Sequence, residues 1–331
     1  MLLNFSNKKY LNEAYNVLSN NVNDKVTLSN IDCFLLLLQG LKFEDLSNLC
    51  NTLSNKLNIS CDEAYTLTQS IDTNPFKDVI FSESLDIILN GNYLGSAVDG
   101  VFNTSGWISH SVHEAILAYN LAAIMNLNRD FAFNYGLLHD YGRKYCHNFQ
   151  HVIKGFEELI NLGIVQESRA CLTHSFIRGG RYCNMEVASD EFYVDDNGVE
   201  HYDEKDDICD VLGKSNYSIY DDIVNVADLM AMSSGVVSPE ERIKDVLTRR
   251  NNLEESSNWP YFLASFCNLL IDMLDRMKIK HAFKKFNYRE YDIDRIKELL
   301  SSISNCFYTS YNDLILKDEY SCFSEKTNLK K

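Results

Sequence analysis

The chain has 331 residues, 45% hydrophobic and 24% charged, a balance that supports a sizeable folded core and excludes intrinsic disorder. A formal net charge of −16 repels phosphate backbones on average. Duplex DNA is therefore not an expected partner, and any small anion must be held by local basic groups.

Three prolines and fourteen glycines leave room for long helices, and the expected fold class is all-α. The opening stretch MLLNFSNKKYLNEAYNVL is too polar for a secretory core. The longest apolar run, CFLLLLQGL around Leu35, falls far short of the roughly 20 residues a membrane span needs and reads as a buried helix. Tyr10, Leu11, Ala14, Val17 and Leu18 recur at helical spacing, as do Phe43, Leu46, Leu49, Leu53 and Leu57. Ser60 followed by Glu63 is a capping box. Residues 1–95 thus read as a helical region of four or five short helices with no catalytic constellation.

Residues 96–250 hold seven of the eight histidines. Helices are expected over 109–126, 130–141, 150–161, 166–175, 219–232 and 239–250. Asp130 is placed to cap the second, and Gly142 to terminate it. Ser238-Pro239-Glu240-Glu241 is a strong opening for the last, with an N-cap Ser, Pro at the first helical position and Glu at the third. Between these lies EFYVDDNGVEHYDE. Asn197-Gly198, flanked by Phe192-Tyr193-Val194 and Val199-Glu200-His201-Tyr202, predicts a small β-hairpin inserted into the helical domain. The Asp-rich loop is not a calcium site: with Gly198 as its sixth position, the first ligand would be Tyr193.

Residues 251–331 form a C-terminal helical region. Tyr261, Phe262, Phe266, Leu269, Leu270 and Met273 mark one helix, and Ile293, Ile296, Leu299 and Leu300 another. The polar tail after Leu316 is expected to fray. The ten cysteines show no C-x-x-C spacing, and Cys33, Cys171 and Cys267 sit in apolar runs. They read as reduced, small hydrophobes in a cytoplasmic protein.

Chemistry-bearing residues recur inside apolar helices. His110 opens WISHSVHEAILAYNLA, His139 and Asp140 end FAFNYGLLHD, His151 starts HVIKGFEELI, His174 closes CLTH, and Asp228 lies in YDDIVNVADLMAM. Imidazole and carboxylate groups in such surroundings are costly unless paired or bound to metal, and one divalent cation would satisfy several together. The mixed donors suit Mn, Fe, Zn, Co or Ni better than Ca or Mg. His113, His147 and His201 read as ordinary core or surface histidines, with His147 the main rival to His151. HEAIL at His113 is not H-E-x-x-H, so a zincin reading fails.

Residues 100–250 resemble the HD-domain metal-dependent phosphohydrolases in the pattern H…HD…D, here His110, His139-Asp140 and Asp228. Trp107-Ile-Ser-His110-Ser is similar to the family's opening, Gly136-Leu-Leu-His139-Asp140-Tyr-Gly142-Arg143 to its core, and Val226-Ala227-Asp228-Leu229 to its close. Tyr141 replaces the usual aliphatic residue, and no GYP signature follows. The resemblance implies a helical-bundle HD domain flanked by the two helical regions. His151, with Gly155 four residues on, and His174 match the family's two-metal subset. On that pattern Asp140 bridges two ions, most readily Mn or Fe. His110, His139 and Asp228 complete one, and His151 with His174 the other.

The implied activity is hydrolysis of a phosphate ester, of a nucleotide or another small phosphorylated metabolite, by a metal-activated water. Asp140 and Arg143 would be the catalytic pair. Arg143, Lys144, Arg178 and Arg181 are the cations available to a phosphate. Two other readings are a di-iron oxygenase on an HD fold and a non-catalytic signalling module. No membrane association is expected, and nothing specifies a protein partner.

Overall fold

The computed structural model describes residues 3–41, 43–70, 74–91, 93–95, 106–146, 148–179, 192–194, 200–202, 207–249, 259–287 and 292–316. Among these are fourteen α-helices: α1 (Lys8–Ser19), α2 (Asn30–Leu38), α3 (Phe43–Leu57), α4 (Cys61–Gln69), α5 (Lys77–Leu89), α6 (Trp107–Ile124), α7 (Arg129–Leu138), α8 (His151–Asn161), α9 (Val165–Thr173), α10 (Asp207–Leu212), α11 (Ile219–Asp228), α12 (Pro239–Arg249), α13 (Trp259–Arg276) and α14 (Ile293–Ile315). Two two-stranded antiparallel sheets complete the set. The fold is all-α, as the composition and periodicity predict. None of the helices is long and apolar enough to cross a membrane, among the described residues.

The expected hairpin is present. Strand β1 (Phe192–Val194) pairs with β2 (Glu200–Tyr202) in the register Phe192↔Tyr202, Tyr193↔His201 and Val194↔Glu200. Its Asn197-Gly198 turn, and with it the loop weighed for calcium, lies outside the described residues. The capping boxes at Ser60 and at Ser238 form, with reciprocal bonds to Glu63 and Glu241.

Three expectations are corrected. α7 is capped by Asn128, which accepts from the Phe131 amide, and not by Asp130. Asp130 is the second residue of the helix, in its first turn, and accepts from Asn30. The helix expected to run to 232 stops at Asp228. Ser233-Ser234-Gly235 turns the chain back, so that β3 (Ala231–Met232) pairs with β4 (Gly235–Val236). A period-3.6 apolar pattern continuing through Leu229 and Met230 concealed that turn.

The third concerns Gly142. It does not terminate a helix in a left-handed conformation; α7 ends at Leu138, and Gly142 sits in a 3-10 turn, Tyr141–Lys144. Its need is space. A Cβ there would lie 1.9 Å from the His151 carbonyl oxygen and 2.7 Å from the Gly155 amide. Only glycine allows this turn to touch the start of α8, and that contact sets Asp140 beside His151.

α6 is the centre of the fold. It is buried on nearly every side, from Trp107 to Ala122, and contributes to both hydrophobic cores. One core joins α1–α5 to α6, α8 and α9 through Leu35, Leu37, Phe156 and Leu172. The other joins α7, α11, α13 and α14 to the opposite face of α6 through Phe131, Ile223, Phe266 and Phe307.

One buried ion pair ties the helices together. Arg169 of α9 is fully buried and donates to both carboxylate oxygens of Asp221 on α11. Its remaining N–H groups reach the Val17, Leu18 and Asn20 carbonyls at the end of α1 and the Asn216 carbonyl before α11. Tyr135 of α7 and Thr173 of α9 donate to the same Asp221 carboxylate at 2.6 and 2.8 Å. Every donor of the guanidinium finds a use, which is what makes so large a charge tolerable in the core.

Candidate metal centre

Five helices end or begin at one point. His110 stands in the first turn of α6. His139 caps the C-terminus of α7, with Asp140 following it, and His151 is the first residue of α8. His174 caps the C-terminus of α9, and Asp228 is the last residue of α11. All six residues expected as metal ligands therefore converge. They form two buried groups that could hold metal ions, His110, Glu114, His139 and Asp228 in one and Asp140, His151 and His174 in the other. Glu114 was not among the expected ligands.

The tautomers are fixed by the main chain. His139 Nδ1 lies 2.6 Å from the Gly136 carbonyl, His151 Nδ1 2.9 Å from that of Asn148, and His174 Nδ1 3.1 Å from those of Ala170 and Cys171. A carbonyl only accepts, so each Nδ1 carries a proton and each Nε2 is turned to the centre. This is the carbonyl support that orients metal-binding histidines.

The Nε2 atoms face other acceptors. His139 Nε2 is 2.9 Å from Glu114 Oε2, His151 Nε2 is 3.0 Å from Asp140 Oδ1, and His151 and His174 bring their Nε2 atoms within 3.3 Å. His110 Nε2 is 3.1 Å from Asp228 Oδ1. Apart from these imidazole contacts, both Glu114 oxygens, His139 Nε2 and Asp140 Oδ1 are buried without a hydrogen bond. Two donors each about 2.1 Å from one cation stand roughly 3.0 Å apart at a right angle and roughly 3.4 Å apart at a tetrahedral one. The observed separations are of that size, so the residues present fit divalent transition metals, with mixed imidazole and carboxylate donors.

Electrostatics report the same need. Burial pushes the Glu114 carboxyl well above its usual range, against the opposing pull of His139. Burial works to lower His139, yet Glu114 and Asp140 outweigh it and raise the imidazole well above normal. One proton is trapped between them where a cation would sit. Burial lowers His110, and burial with the neighbouring His139 takes His174 down to about 3, which keeps both rings neutral and ready to ligate. For Asp140, burial is overcome by Arg143, His139 and His151, and for Asp228 by His110, so both stay ionised.

The candidate cations divide. Arg143 Nε donates to Asp140 Oδ2, and its side chain is mostly buried. Lys144 instead lies over the Tyr141 and Tyr145 rings, and burial lowers its ammonium. Arg178 is engaged in ion pairs with Asp222 and Asp272. An open cleft of about 500 Å³ adjoins that network, but none of its lining residues belongs to either ligand group. Arg181 and His147 lie outside the described residues. His113 is buried but belongs to neither group.

Two residues escaped the sequence reading. Glu114 is one. The other is Arg242 of α12, whose charge is felt at His110 and which pairs with Asp245 at 2.7 Å. Both lie at i+4 or i+3 spacing from a paired residue on their own helix, a pattern that alone reads as ordinary helix chemistry.

Compared with family models, with curated proteins and with solved structures, the chain finds no significant match. A helical fold carrying a buried His/Asp/Glu centre is compatible with an HD-type site.

The two-group geometry makes a direct prediction. His151→Ala or His174→Ala should remove one of two bound transition-metal equivalents and leave the helical circular dichroism unchanged. Elemental analysis near one equivalent in fully loaded wild-type protein would reject a dinuclear centre.

Proposed function

We propose that the protein is a dinuclear, metal-dependent phosphohydrolase of the HD-domain type, acting on the phosphate ester of a nucleotide or another small phosphorylated metabolite. The supporting observation is the placement of Asp140. Its Oδ2 faces His139 and His110 at 3.4 and 4.0 Å, and its Oδ1 faces His151 and His174 at 3.0 and 3.5 Å. One carboxylate thus offers an oxygen to each ligand group, as a bridge must. The motif resemblance supplies the reaction class.

When bound, a pair of divalent ions supplies Lewis acidity and an activated water for attack on phosphorus. The chain's own residues do the rest. Asp140 holds the two positions in register, and the main-chain carbonyls fix the imidazole tautomers. Arg143 stays protonated at any useful pH, so it serves as a binding and charge-stabilising group rather than a general acid. Asp228 is the most exposed of these side chains, 23% against 3% or less for Asp140, His151 and His174, which favours approach of a substrate from its side.

Arg143→Ala should leave metal content unchanged and lower kcat/KM on a phosphorylated substrate on the order of 10²-fold, if the contact tightens in the transition state. Arg143→Lys should recover only part, because the two-point fork is lost. Wild-type kinetics in Arg143→Ala would reject the role. The function itself is tested by metal analysis of protein purified without chelator, followed by a screen of phosphorylated metabolites. Oxygen-consuming, iron-dependent turnover without phosphate release would replace it with the oxygenase reading.

A further inference from the structure

The H…HD…H…H…D pattern accounts for six ligands and leaves Glu114 outside. Yet Glu114 is fully buried, and its Oε2 lies 2.9 Å from His139 Nε2 and 3.7 Å from His110 Nε2. Beyond these two imidazoles neither of its oxygens has a hydrogen-bond partner. Helical geometry explains the position: i and i+4 share a face, so Glu114 stands one turn above His110 and aims at the same point.

A supporting role, as a hydrogen-bond acceptor that orients His139, does not fit. His139 already donates through Nδ1 to the Gly136 carbonyl. Its Nε2 is the nitrogen turned to the centre, and a proton shared there with Glu114 at 2.9 Å occupies the space a cation would fill. Once that nitrogen ligates a metal the proton is gone, and Glu114 is left a buried carboxylate directed at the cation itself.

We propose that Glu114 is itself a metal ligand, and that it makes the two positions unequal. This rests on the dinuclear reading above. The first position then has four side chains of its own, His110, Glu114, His139 and Asp228, plus one oxygen of Asp140. The second has only His151 and His174 plus the other Asp140 oxygen. Two additional carboxylates bring two additional negative charges to the first position and none to the second. The first ion is the resident one, last to leave. The second exchanges with the surrounding metal pool, and its filling sets the fraction of protein that is dinuclear.

Competition between the full-length protein and a chromophoric chelator for Mn²⁺ tests this. Wild type should release its metal in two classes of distinct affinity. Glu114→Gln keeps the side-chain shape but removes the charge, and should weaken the tight class by more than about 100-fold while moving the weak class only a few-fold. His151→Ala should do the reverse, abolishing the weak class and sparing the tight one. Unchanged affinities in Glu114→Gln, or a loss confined to the weak class, would overturn the assignment while leaving the dinuclear centre standing. Two classes of equal affinity in wild type would overturn it without any variant, should Glu114→Gln fail to fold. Wild-type protein that takes up no Mn²⁺ and no other transition metal would instead remove the dinuclear reading, and this inference with it.

Discussion

Asp140→Ala is expected to strip the protein of both metal equivalents and to lower kcat/KM on a phosphorylated substrate by something on the order of 10³-fold or more. The reason is the shared position of this carboxylate. Its two oxygens face two ligand groups, so its removal opens both at once, whereas a histidine belongs to one group only. It also leaves Arg143 without the partner that Nε now contacts, a buried cation beside empty ligand positions. Asp140→Asn is the sharper variant, because it keeps the volume and removes the charge. Metal content by elemental analysis, alongside circular dichroism to confirm the helices, is the measurement. Full metal content in Asp140→Ala would show that the carboxylate bridges nothing.

The largest effect on stability is expected away from the centre, at Arg169. Arg169→Met should destabilise the protein by about 3–5 kcal/mol, because Asp221 is left buried with its principal partner gone. It also deprives the carbonyls at the end of α1 of the donor that holds them. For a chain of 331 residues the melting temperature should fall by roughly 4–7 °C. Pairing it with Asp221→Leu should recover part of the loss, since two apolar groups are cheaper to bury than one unpaired charge. A melting temperature within a degree of wild type in the single variant would mean that water reaches the pair and that the core is less tight than its geometry states.

The helices and the six residues that converge on the centre were legible for a common reason. Long apolar runs show periodicity, and imidazole or carboxylate within them is conspicuous: GLLHDYGR and CLTH advertise themselves. Glu114 and Arg169 carry no such signal. Each sits at a helical spacing where a charged residue ordinarily faces water. A subtler sign was available for Glu114. Along Trp107–Ala122 the apolar Leu117 and Leu121 fall on the same helical face as His110 and Glu114, so no polar face continues, and a helix without one is buried all round. For Arg169 the partners come from α1, α9 and α11, contacts that no local window contains. Gly142 was noticed for the wrong property, its conformational freedom, when its want of a Cβ is what the packing against His151 uses.

The helix ends at the centre also fix the order in which its visitors can arrive. His139, His174 and Asp228 stand at the C-terminal ends of α7, α9 and α11, where carbonyls lacking intrahelical partners concentrate negative charge. Asp140 and Asp228 add ionised carboxylates, and Arg143 with the N-termini of α6 and α8 offsets part of this. On the proposed function, two divalent ions seated there would turn the local field positive and draw a phosphate in. The protein would then load its cations first and its substrate second.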